Sequence, residues 1–311
     1  MTNMILGVDA GGTKTVAAAY TPSGEKILEM QGGAGNITAS FDAACHAITQ
    51  TVSQLLTELK KRTPDSSVSF LAVGAAGVTA GGDALQRSLH QAFHANIQNI
   101  QVVSDAQLAL YAAHGTQDGI LIVSGTGSIG FRRAGDTLLR CGGWGHLLGD
   151  EGSGYHIVMQ AIRGLTRALD SGTTLPNPLQ QALLDALHLT DFSQLLAFVY
   201  NSTKAEIASL FPTVAACART NDSTREILRQ AGRDLANMVC ILLERLPAPY
   251  PLGVACSGSV LTKNFDVRGA FERALTGKGL PISHIFDVSD PTCGAVAMYS
   301  QQPKKDHTQA E

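Results

Sequence analysis

The sequence predicts two related α/β domains that join near residues 114–118. An apolar strand-like run enters a glycine turn at Gly11 and again at Gly125, and each turn is followed by a pattern typical of a β-hairpin. Beyond each hairpin, helical and strand-like periods alternate, which is typical of α/β folds. A chain of 311 residues is long enough for two such domains.

The first predicted domain contains three strands, a helix and then two strand–helix pairs. Strand patterns cover residues 3–9, two runs within 15–30 around a Pro-Ser-Gly-Glu turn, and later 69–77 and 100–105. A helix is predicted over roughly 40–61, because apolar residues recur there at intervals of three and four. These apolar residues are Phe41, Cys45, Ile48, Val52, Leu55 and Leu59.

The second predicted domain repeats the opening pattern and then adds helices. A strand over 119–128 runs into glycines, and 129–133 can pair with 137–141 as a hairpin. Residues 153–246 show mainly helical periods, and 252–260 is again a strand that enters a glycine turn. This order predicts a second α/β domain with a helical insertion.

The C-terminal region completes the predicted boundaries. A helix is expected near 264–277, and the last helix is expected to begin near Asp290. The expected division is an N-terminal lobe at 1–115, a C-terminal lobe at 116–301 and a disordered polar tail at 302–311. The alternative prediction for the last helix is that it packs back on the N-terminal lobe.

Composition and charge exclude several classes of function. The formal net charge is −3 and the basic cluster at 60–62 ends a predicted helix, so no nucleic-acid partner is expected. The N-terminus lacks a signal-peptide pattern, and no apolar run reaches membrane-spanning length. Six cysteines without a CxxC pair are typical of a reduced, cytoplasmic protein without a zinc ribbon or local iron–sulfur site. We therefore expect no membrane partner.

Two glycine motifs resemble well-known nucleotide signatures but depart from them. Residues 7–15 fail the Walker A pattern because Thr13 intervenes before Lys14 and a hairpin follows where a helix is required. Residues 125–130 match GxGxxG, but the segment behind them has no helical period to hold a pyrophosphate. Neither motif alone therefore identifies a nucleotide site.

The two glycine turns together favour a site for a nucleotide triphosphate. Glycines allow backbone N–H groups to approach phosphate oxygens, and the hydroxyls of Thr13, Thr126 and Ser128 add donors. Asp9, at the strand end before the first turn, can hold a hydrated Mg²⁺. The alternative is that these glycines serve turn geometry alone.

Several polar residues are candidates for chemistry, each with a structural alternative. Asp105 follows a strand and precedes a helix, so it is either an N-cap or a functional carboxylate. Asp150 and Glu151 precede a helix expected near 153 and have the same two readings. His146 has no metal-ligand spacing, which favours a structural or supporting role.

Six motifs in order resemble those of N-acetylglucosamine kinases. They are "GVDAGGTKT" (7–15), "GAGN" (33–36), "SDA" (104–106), "SGTGS" (124–128), "CGGWGHLLGDEGSGY" (141–155) and "CSGSV" (256–260). These kinases belong to the BadF/BadG group of the actin–hexokinase–Hsp70 ATPase superfamily. The resemblance covers residues 4 to about 298, and its most specific part is 141–155.

The resemblance implies a fold and a nucleotide site. The fold is an actin-like ribonuclease-H fold duplicated into two lobes, with MgATP and an amino sugar in the cleft between them. The first loop (Gly11, Gly12, Thr13, Lys14) and the second loop (Gly125, Thr126, Gly127, Ser128) would contact ATP, and Gly258 and Ser259 would lie near the nucleotide. A homodimer is also implied.

The resemblance further implies the sugar contacts. Residues Asn36, Asp105, Thr126, Gly143, Trp144 and Asp150 would surround the sugar, and Asp105 would be the general base. An indole can cover the apolar face of a sugar ring while carboxylates bind its hydroxyls, which explains a lone tryptophan in a glycine-rich segment.

The implied reaction is phosphorylation of the C6 hydroxyl of N-acetylglucosamine by ATP. Glucosamine-specific relatives replace the Trp-Gly-His segment, which this chain keeps, whereas N-acetylmuramic acid kinases share much of the motif. The alternatives are a glucosamine or N-acetylmuramic acid kinase, and a nucleotide-switched activator that consumes no sugar. The cysteine motifs of ROK sugar kinases and of dehydratase-activating ATPases are absent from the sequence.

Overall fold

The computed structural model describes residues 2–172 and 177–302. They form two compact units, the first with residues up to Asp118 and from Val288 onward, and the second with Gly119–Asp287. All but the first residue of the predicted 302–311 tail lies outside the described residues.

A five-stranded mixed sheet forms the centre of the first unit. Its strands are β1 (Thr2–Ala10), β2 (Thr15–Tyr20), β3 (Lys26–Gly32), β4 (Ser66–Ala75) and β5 (Ile97–Ser104). They lie in the order β3-β2-β1-β4-β5. The first three pair antiparallel, and β4 and β5 run parallel to β1. Therefore β1, β4 and β5 end at the same edge.

Three helices cover this sheet: α1 (Phe41–Arg62), α2 (Val78–Phe93) and α3 (Asp105–His114). Ser40 caps α1, accepting a hydrogen bond from the Ala43 N–H. The predicted apolar face of α1 is confirmed, since its residues pack in one buried cluster with strand residues. Its fully buried members are Ile48, Val52, Leu55 and Leu59.

The outer edge of β5 is covered by a side chain of α2. The Gln86 amide donates to the Ile100 carbonyl at 2.6 Å and accepts from the Val102 N–H at 2.8 Å. These are the two hydrogen bonds that a further strand would make with the backbone at this point.

The second unit repeats the topology of the first sheet. Its strands are β6 (Gly119–Ser124), β7 (Ser128–Ala134), β8 (Thr137–Gly142), β9 (Leu252–Ser257) and β10 (Ile282–Asp287). They lie in the order β8-β7-β6-β9-β10. Both sheets therefore have three antiparallel strands followed by two parallel ones, which confirms the duplicated ribonuclease-H-like α/β fold.

Helices of the second unit fill the predicted insertion and the segment after β9. They are α4 (Gly154–Asp170), α5 (Pro178–Ala186), α6 (Phe192–Asn201), α7 (Lys204–Ala208), α8 (Phe211–Cys217), α9 (Asp222–Arg245), α10 (Ser259–Lys263) and α11 (Phe265–Thr276). No strand is predicted at the position of β10, because its residues are partly buried or exposed and lack a continuous apolar run.

A 3-10 helix (Pro291–Cys293) and α12 (Gly294–Ser300) follow β10 and pack on the first sheet. The predicted boundaries placed this helix in 116–301, with packing on the N-terminal lobe as the alternative. It packs on the first unit because Ala295 and Met298 are buried with Ile5 of β1. A Cβ on Gly7 would lie 1.9 Å from the Thr292 carbonyl oxygen, so glycine permits this approach. No helix in the described ranges is long and apolar enough to cross a membrane.

Candidate functional site

The shared edge of β1, β4 and β5 brings Asp9 and Asp105 together in the first unit. The strand register places Asp9 beside Gly74, and Gly74 beside Val103. Asp105 follows as the first residue of α3. A Cβ on Gly74 would lie 3.2 Å from the Asp105 Cα, so the glycine allows α3 to begin close to the sheet.

The Asp9 carboxylate lies in an electrostatically unfavourable position. Burial raises its pKa to about 6, with smaller contributions from the charges of Asp105 and Asp290, and Lys14 opposes them. A buried carboxylate near other carboxylates is stabilised by any cation that approaches it.

Asp290 has a different environment. Burial raises the pKa of Asp290, but hydrogen bonds from Lys26, Thr292 and Tyr20 outweigh burial and the net pKa is lowered. The Tyr20 hydroxyl donates to Asp290 Oδ2 at 2.7 Å, and the Lys26 Nζ lies 2.7 Å from the same oxygen. Asp290 is therefore ionised, and it adds negative charge near Asp9.

The chemistry of this edge fits Mg²⁺. Within residues 2–172 and 177–302, no three His, Cys, Asp or Glu side chains form a ready metal site. Mg²⁺ does not need such a site, since it keeps several waters and binds one or two carboxylates together with phosphates. Asp9, whose ionised form the surrounding protein disfavours, is suited to hold a hydrated cation through water.

Ser104, and not Asp105, caps α3. The Ser104 Oγ accepts from the Gln107 N–H at 3.1 Å, and the Gln107 side chain accepts from the Ser104 N–H at 3.1 Å. The N-cap alternative for Asp105 is therefore wrong. Asp105 Oδ1 accepts from the Ala106 N–H at 2.9 Å, and burial raises the pKa of this carboxyl.

The first glycine turn joins β1 to β2 beside Asp9. The Gly11 N–H donates to the Lys14 carbonyl at 3.0 Å, and the Gly11 carbonyl accepts from the Gly35 N–H at 2.9 Å. Thr13 and Lys14 are exposed. A Cβ on Gly12 would meet no atom within 4 Å, so the space beside this turn is open.

The loop that contains Gly35 also positions Asn36. The half-buried Asn36 accepts a hydrogen bond from the Thr38 N–H at 2.9 Å through its side-chain oxygen. This local bond fixes the direction of the side chain at the start of the turn before α1.

The second glycine turn joins β6 to β7 in the second unit. The Gly125 N–H donates to the Gly127 carbonyl at 3.0 Å, and a Cβ on Gly125 would meet no atom within 4 Å. Thr126 is exposed at its tip. Ser128 is buried, and its hydroxyl donates to the Glu151 carbonyl at 2.6 Å, so its proton is used within the protein.

Residues 150–154 are tied to this turn by backbone contacts. The Gly154 N–H donates to the Gly125 carbonyl at 2.8 Å, and the Ser124 hydroxyl donates to the Gly152 carbonyl at 2.8 Å. The predicted helix start near 153 is confirmed, with Ser153 as the N-cap of α4. Capping by Asp150 or Glu151 is therefore not observed, and Glu151 is exposed.

Asp150 is buried beside the second turn and pairs with Lys204, a residue that no sequence pattern indicated. The Asp150 side chain is 3% exposed, and its Oδ2 lies 2.6 Å from the Lys204 Nζ. Its Oδ1 accepts from the Ser128 N–H at 3.3 Å. Lys204 begins α7, and its sequence context shows only a Thr203–Glu206 capping box. No local pattern links Lys204 to Asp150.

Trp144 lies in the loop between β8 and α4 and is 65% exposed. The Arg140 guanidinium lies over its ring at 4.2 Å from the centroid, which is a cation–π contact. Gly143 before it has φ of 71°, and a Cβ there would lie 2.4 Å from Ile129. His146 packs edge-on against Tyr155, with ring centroids 4.9 Å apart, consistent with a structural role.

A third glycine turn follows β9. Gly258 has φ of 84°, and a Cβ on it would lie 2.2 Å from the Ser124 carbonyl oxygen. Ser259 then begins α10. In the second unit, the structure thus brings together the second turn, residues 150–154 and Gly258.

Comparisons with known proteins find relatives and a solved structure that are named as amino-sugar kinases. The chain is 31% identical over 247 residues to an N-acetylmuramic acid/N-acetylglucosamine kinase of Clostridium acetobutylicum, covering 78% of this chain and 80% of that protein. It is 28% identical over 323 residues to an N-acetyl-D-glucosamine kinase of Dictyostelium discoideum, covering 95% and 97%. A crystal structure of a candidate N-acetylglucosamine kinase from Chromobacterium violaceum has a TM-score of 0.76 and 27% identity, with 94% and 97% covered.

The family is shown by a match over nearly the whole chain. Residues 6–298 match the model of the BadF/BadG/BcrA/BcrD ATPase family. This range includes all six motifs on which the resemblance was based. The chain belongs to the BadF/BadG/BcrA/BcrD ATPase family.

Proposed function

We propose that this protein is an ATP-dependent amino-sugar kinase that phosphorylates the C6 hydroxyl of N-acetylglucosamine to give N-acetylglucosamine 6-phosphate and ADP. The observation that carries the proposal is the state of the Asp105 carboxyl. Ser104 caps α3, so Asp105 does not serve as the cap, and burial raises the pKa of the Asp105 carboxyl. Relatives named as N-acetylglucosamine kinases support the same reaction.

ATP would bind through the glycine turns. Open space beside Gly12 and Gly125 supports this role, because the backbone there can approach a ligand without a side chain in the way. The proposed contacts are Asp9, Gly11, Gly12, Thr13, Lys14, Gly125, Thr126, Gly127, Ser128, Gly258 and Ser259. The Ser128 hydroxyl donates to the Glu151 carbonyl and the Ser128 N–H donates to Asp150 Oδ1, so Ser128 would support the turn around the phosphates through these bonds. Mg²⁺, held by Asp9 through water, would neutralise phosphate charge.

The amino sugar would be bound by polar groups and one aromatic ring. The proposed contacts are Asn36, Asp105, Thr126, Gly143, Trp144 and Asp150. The exposed indole of Trp144 has an apolar surface that a sugar ring can cover, and Arg140 stacks on the same ring. Asp150 is buried and paired with Lys204, so only the small exposed part of its carboxylate would accept a hydrogen bond from a sugar hydroxyl.

Asp105 would act as the general base. Phosphoryl transfer depends mainly on positioning and on charge stabilisation, with a carboxylate that orients the attacking hydroxyl and accepts its proton. The bond from the Ala106 N–H to Oδ1 holds the Asp105 carboxyl in place. A raised pKa makes this carboxylate a better proton acceptor than an exposed aspartate.

N-acetylmuramic acid is the second candidate substrate. The Clostridium acetobutylicum relative is named for both sugars, and it is 31% identical to this chain. Glucosamine is a further alternative, since a Vibrio cholerae relative with 26% identity is named as a glucosamine kinase. A homodimer, which the family resemblance implies, remains a prediction.

An ADP-release assay against a sugar panel tests the proposal. The panel contains N-acetylglucosamine, N-acetylmuramic acid, glucosamine and glucose, each with ATP and Mg²⁺. ADP release that depends on N-acetylglucosamine, with a phosphorylated sugar found by mass spectrometry, is the expected result. ATP hydrolysis that is independent of sugar would instead support a nucleotide-switched activator.

A further inference from the structure

Lys204 lies against the second glycine turn, although it is distant from that turn in the sequence. A Cβ on Gly127 would lie 2.6 Å from the Lys204 Nζ and 3.1 Å from Asp150 Oδ1. Gly127 has no positive φ, so its conformation does not require glycine. The space that a side chain would occupy at Gly127 is taken by an ammonium group and its carboxylate partner.

The partner of Lys204 is a buried carboxylate. Asp150 has φ of 65°, in the left-handed region that aspartate adopts more readily than most residues with a Cβ, and its side chain is 3% exposed. Within the described ranges, its Oδ2 receives no hydrogen bond of regular geometry. The ion pair with Lys204, at 2.6 Å, compensates the buried charge of this oxygen.

Lys204 also remains accessible. Its side chain is 29% exposed, in contrast with that of Asp150. The space beside Gly125 is open and Thr126 is exposed. Neutralising a buried carboxylate does not require a lysine to reach solvent at this turn. An ammonium is a point-charge donor that suits phosphate oxygens.

We infer that Lys204 is a phosphate-binding residue of the second glycine turn, which contacts the β- or γ-phosphate of ATP while the buried Asp150 holds its ammonium over Gly127. The inference rests on the proposed function, because it places nucleotide phosphates at this turn. The turn in the first unit carries its own lysine, Lys14, whereas the second turn receives Lys204 from the helical insertion.

The test is a nucleotide titration of the full-length protein by calorimetry, with Mg²⁺ and without sugar. The probes are AMP, ADP and β,γ-imido-ATP, and the variants are Lys204→Gln, Lys204→Arg and the exposed control Lys61→Gln. For Lys204→Gln we expect binding of β,γ-imido-ATP to weaken about tenfold to a hundredfold, the worth of a hydrogen bond to a charged group. ADP binding should weaken by a similar factor if Lys204 contacts the β-phosphate and stay unchanged if it contacts the γ-phosphate. AMP binding should change less than about twofold.

A double-mutant cycle with Asp150→Asn separates phosphate binding from charge compensation. If Lys204 binds phosphate, a Lys204→Gln loss remains in the Asp150→Asn background, although it is smaller because the ammonium is no longer held over Gly127 by the carboxylate. If Lys204 only neutralises Asp150, that loss disappears in the double variant, which has no unpaired buried charge. The double variant also covers the case in which Lys204→Gln alone fails to fold, as judged by circular dichroism.

Three outcomes would overturn the inference: equal losses for AMP and β,γ-imido-ATP, a loss that vanishes in the Asp150→Asn background, or a wild-type protein that binds no nucleotide. Lys204→Arg should retain most of the triphosphate affinity, and Lys61→Gln should retain all of it. Wild-type ADP release with the sugar panel is measured separately. Absence of sugar-dependent turnover with intact triphosphate selectivity would refute the kinase proposal and leave Lys204 as a phosphate contact.

Discussion

Replacing Asp9 by asparagine should make the ligand-free protein more stable while abolishing its activity. The side chain keeps its shape, but a buried negative charge near Asp105 and Asp290 is removed. Burial and these charges raise the Asp9 pKa from 3.8 to about 6. Each pKa unit corresponds to about 1.4 kcal/mol, so ionised Asp9 destabilises the fold by about 3 kcal/mol.

The sign of the pH dependence follows from the raised pKa. The folded protein binds the Asp9 proton more tightly than the unfolded chain, so wild-type stability falls as pH rises from about 4 through the folded pKa near 6. Asparagine resembles the protonated form at every pH. The stability difference should therefore be near zero below about pH 3, about half its full size at about pH 5 and nearly complete above about pH 7.

Calorimetric unfolding of both proteins between pH 5 and pH 8, in EDTA and without nucleotide, measures this difference. Asp83→Asn, at an exposed aspartate of the same unit, is the control and should show no such trend. Mg²⁺ with ADP should stabilise the wild type more than Asp9→Asn, because the cation compensates only a carboxylate. An Asp9→Asn protein that is no more stable at pH 8, or a difference that does not vary with pH, would refute the electrostatic reasoning.

Three further results are expected. Asp105→Asn should lower kcat by roughly 10² to 10⁴ with a smaller change in sugar KM, and a variant with a kcat within about threefold of wild type would exclude Asp105 as the base. The wild-type rate should fall on acidification as Asp105 becomes protonated, with a pKa that burial raises above 3.8. Glucose should have a kcat/KM at least about tenfold below that of N-acetylglucosamine, because an unfilled acetamido pocket leaves buried polar groups unpaired; equal efficiency would indicate a general hexokinase. Emission from Trp144 should change saturably with N-acetylglucosamine, and Trp144→Phe should weaken sugar binding but not ADP binding; unchanged emission and normal sugar binding in the variant would exclude contact with the ring.

Local patterns were sufficient to predict most of the fold. The turns at Gly11 and Gly125 each join two antiparallel strands, as their glycines and flanking apolar runs predict. The apolar spacing of α1 predicted its buried face because this helix packs one side on a sheet. The strand β10 could not be predicted in this way, since an edge strand with exposed side chains needs no apolar run.

The candidate site was less predictable because its contacts are between distant residues. Ser104 and Asp105 are both good capping residue types, and only the bonds with Gln107 show which one caps α3. The ion pair of Asp150 with Lys204 joins residues that are separated by the whole of α4, α5 and α6. Residue type alone does not indicate such a pair.

The side chain of Gln86 has a consequence for self-association. The last strand of an open sheet exposes backbone groups that can recruit a strand from another molecule, which leads to uncontrolled aggregation. Here an incoming strand would have to displace the Gln86 amide from both Ile100 and Val102. The predicted dimer is therefore not expected to form by joining sheets at Ile100–Val102 of β5, because the polar amide already occupies the backbone groups that strand addition would use there.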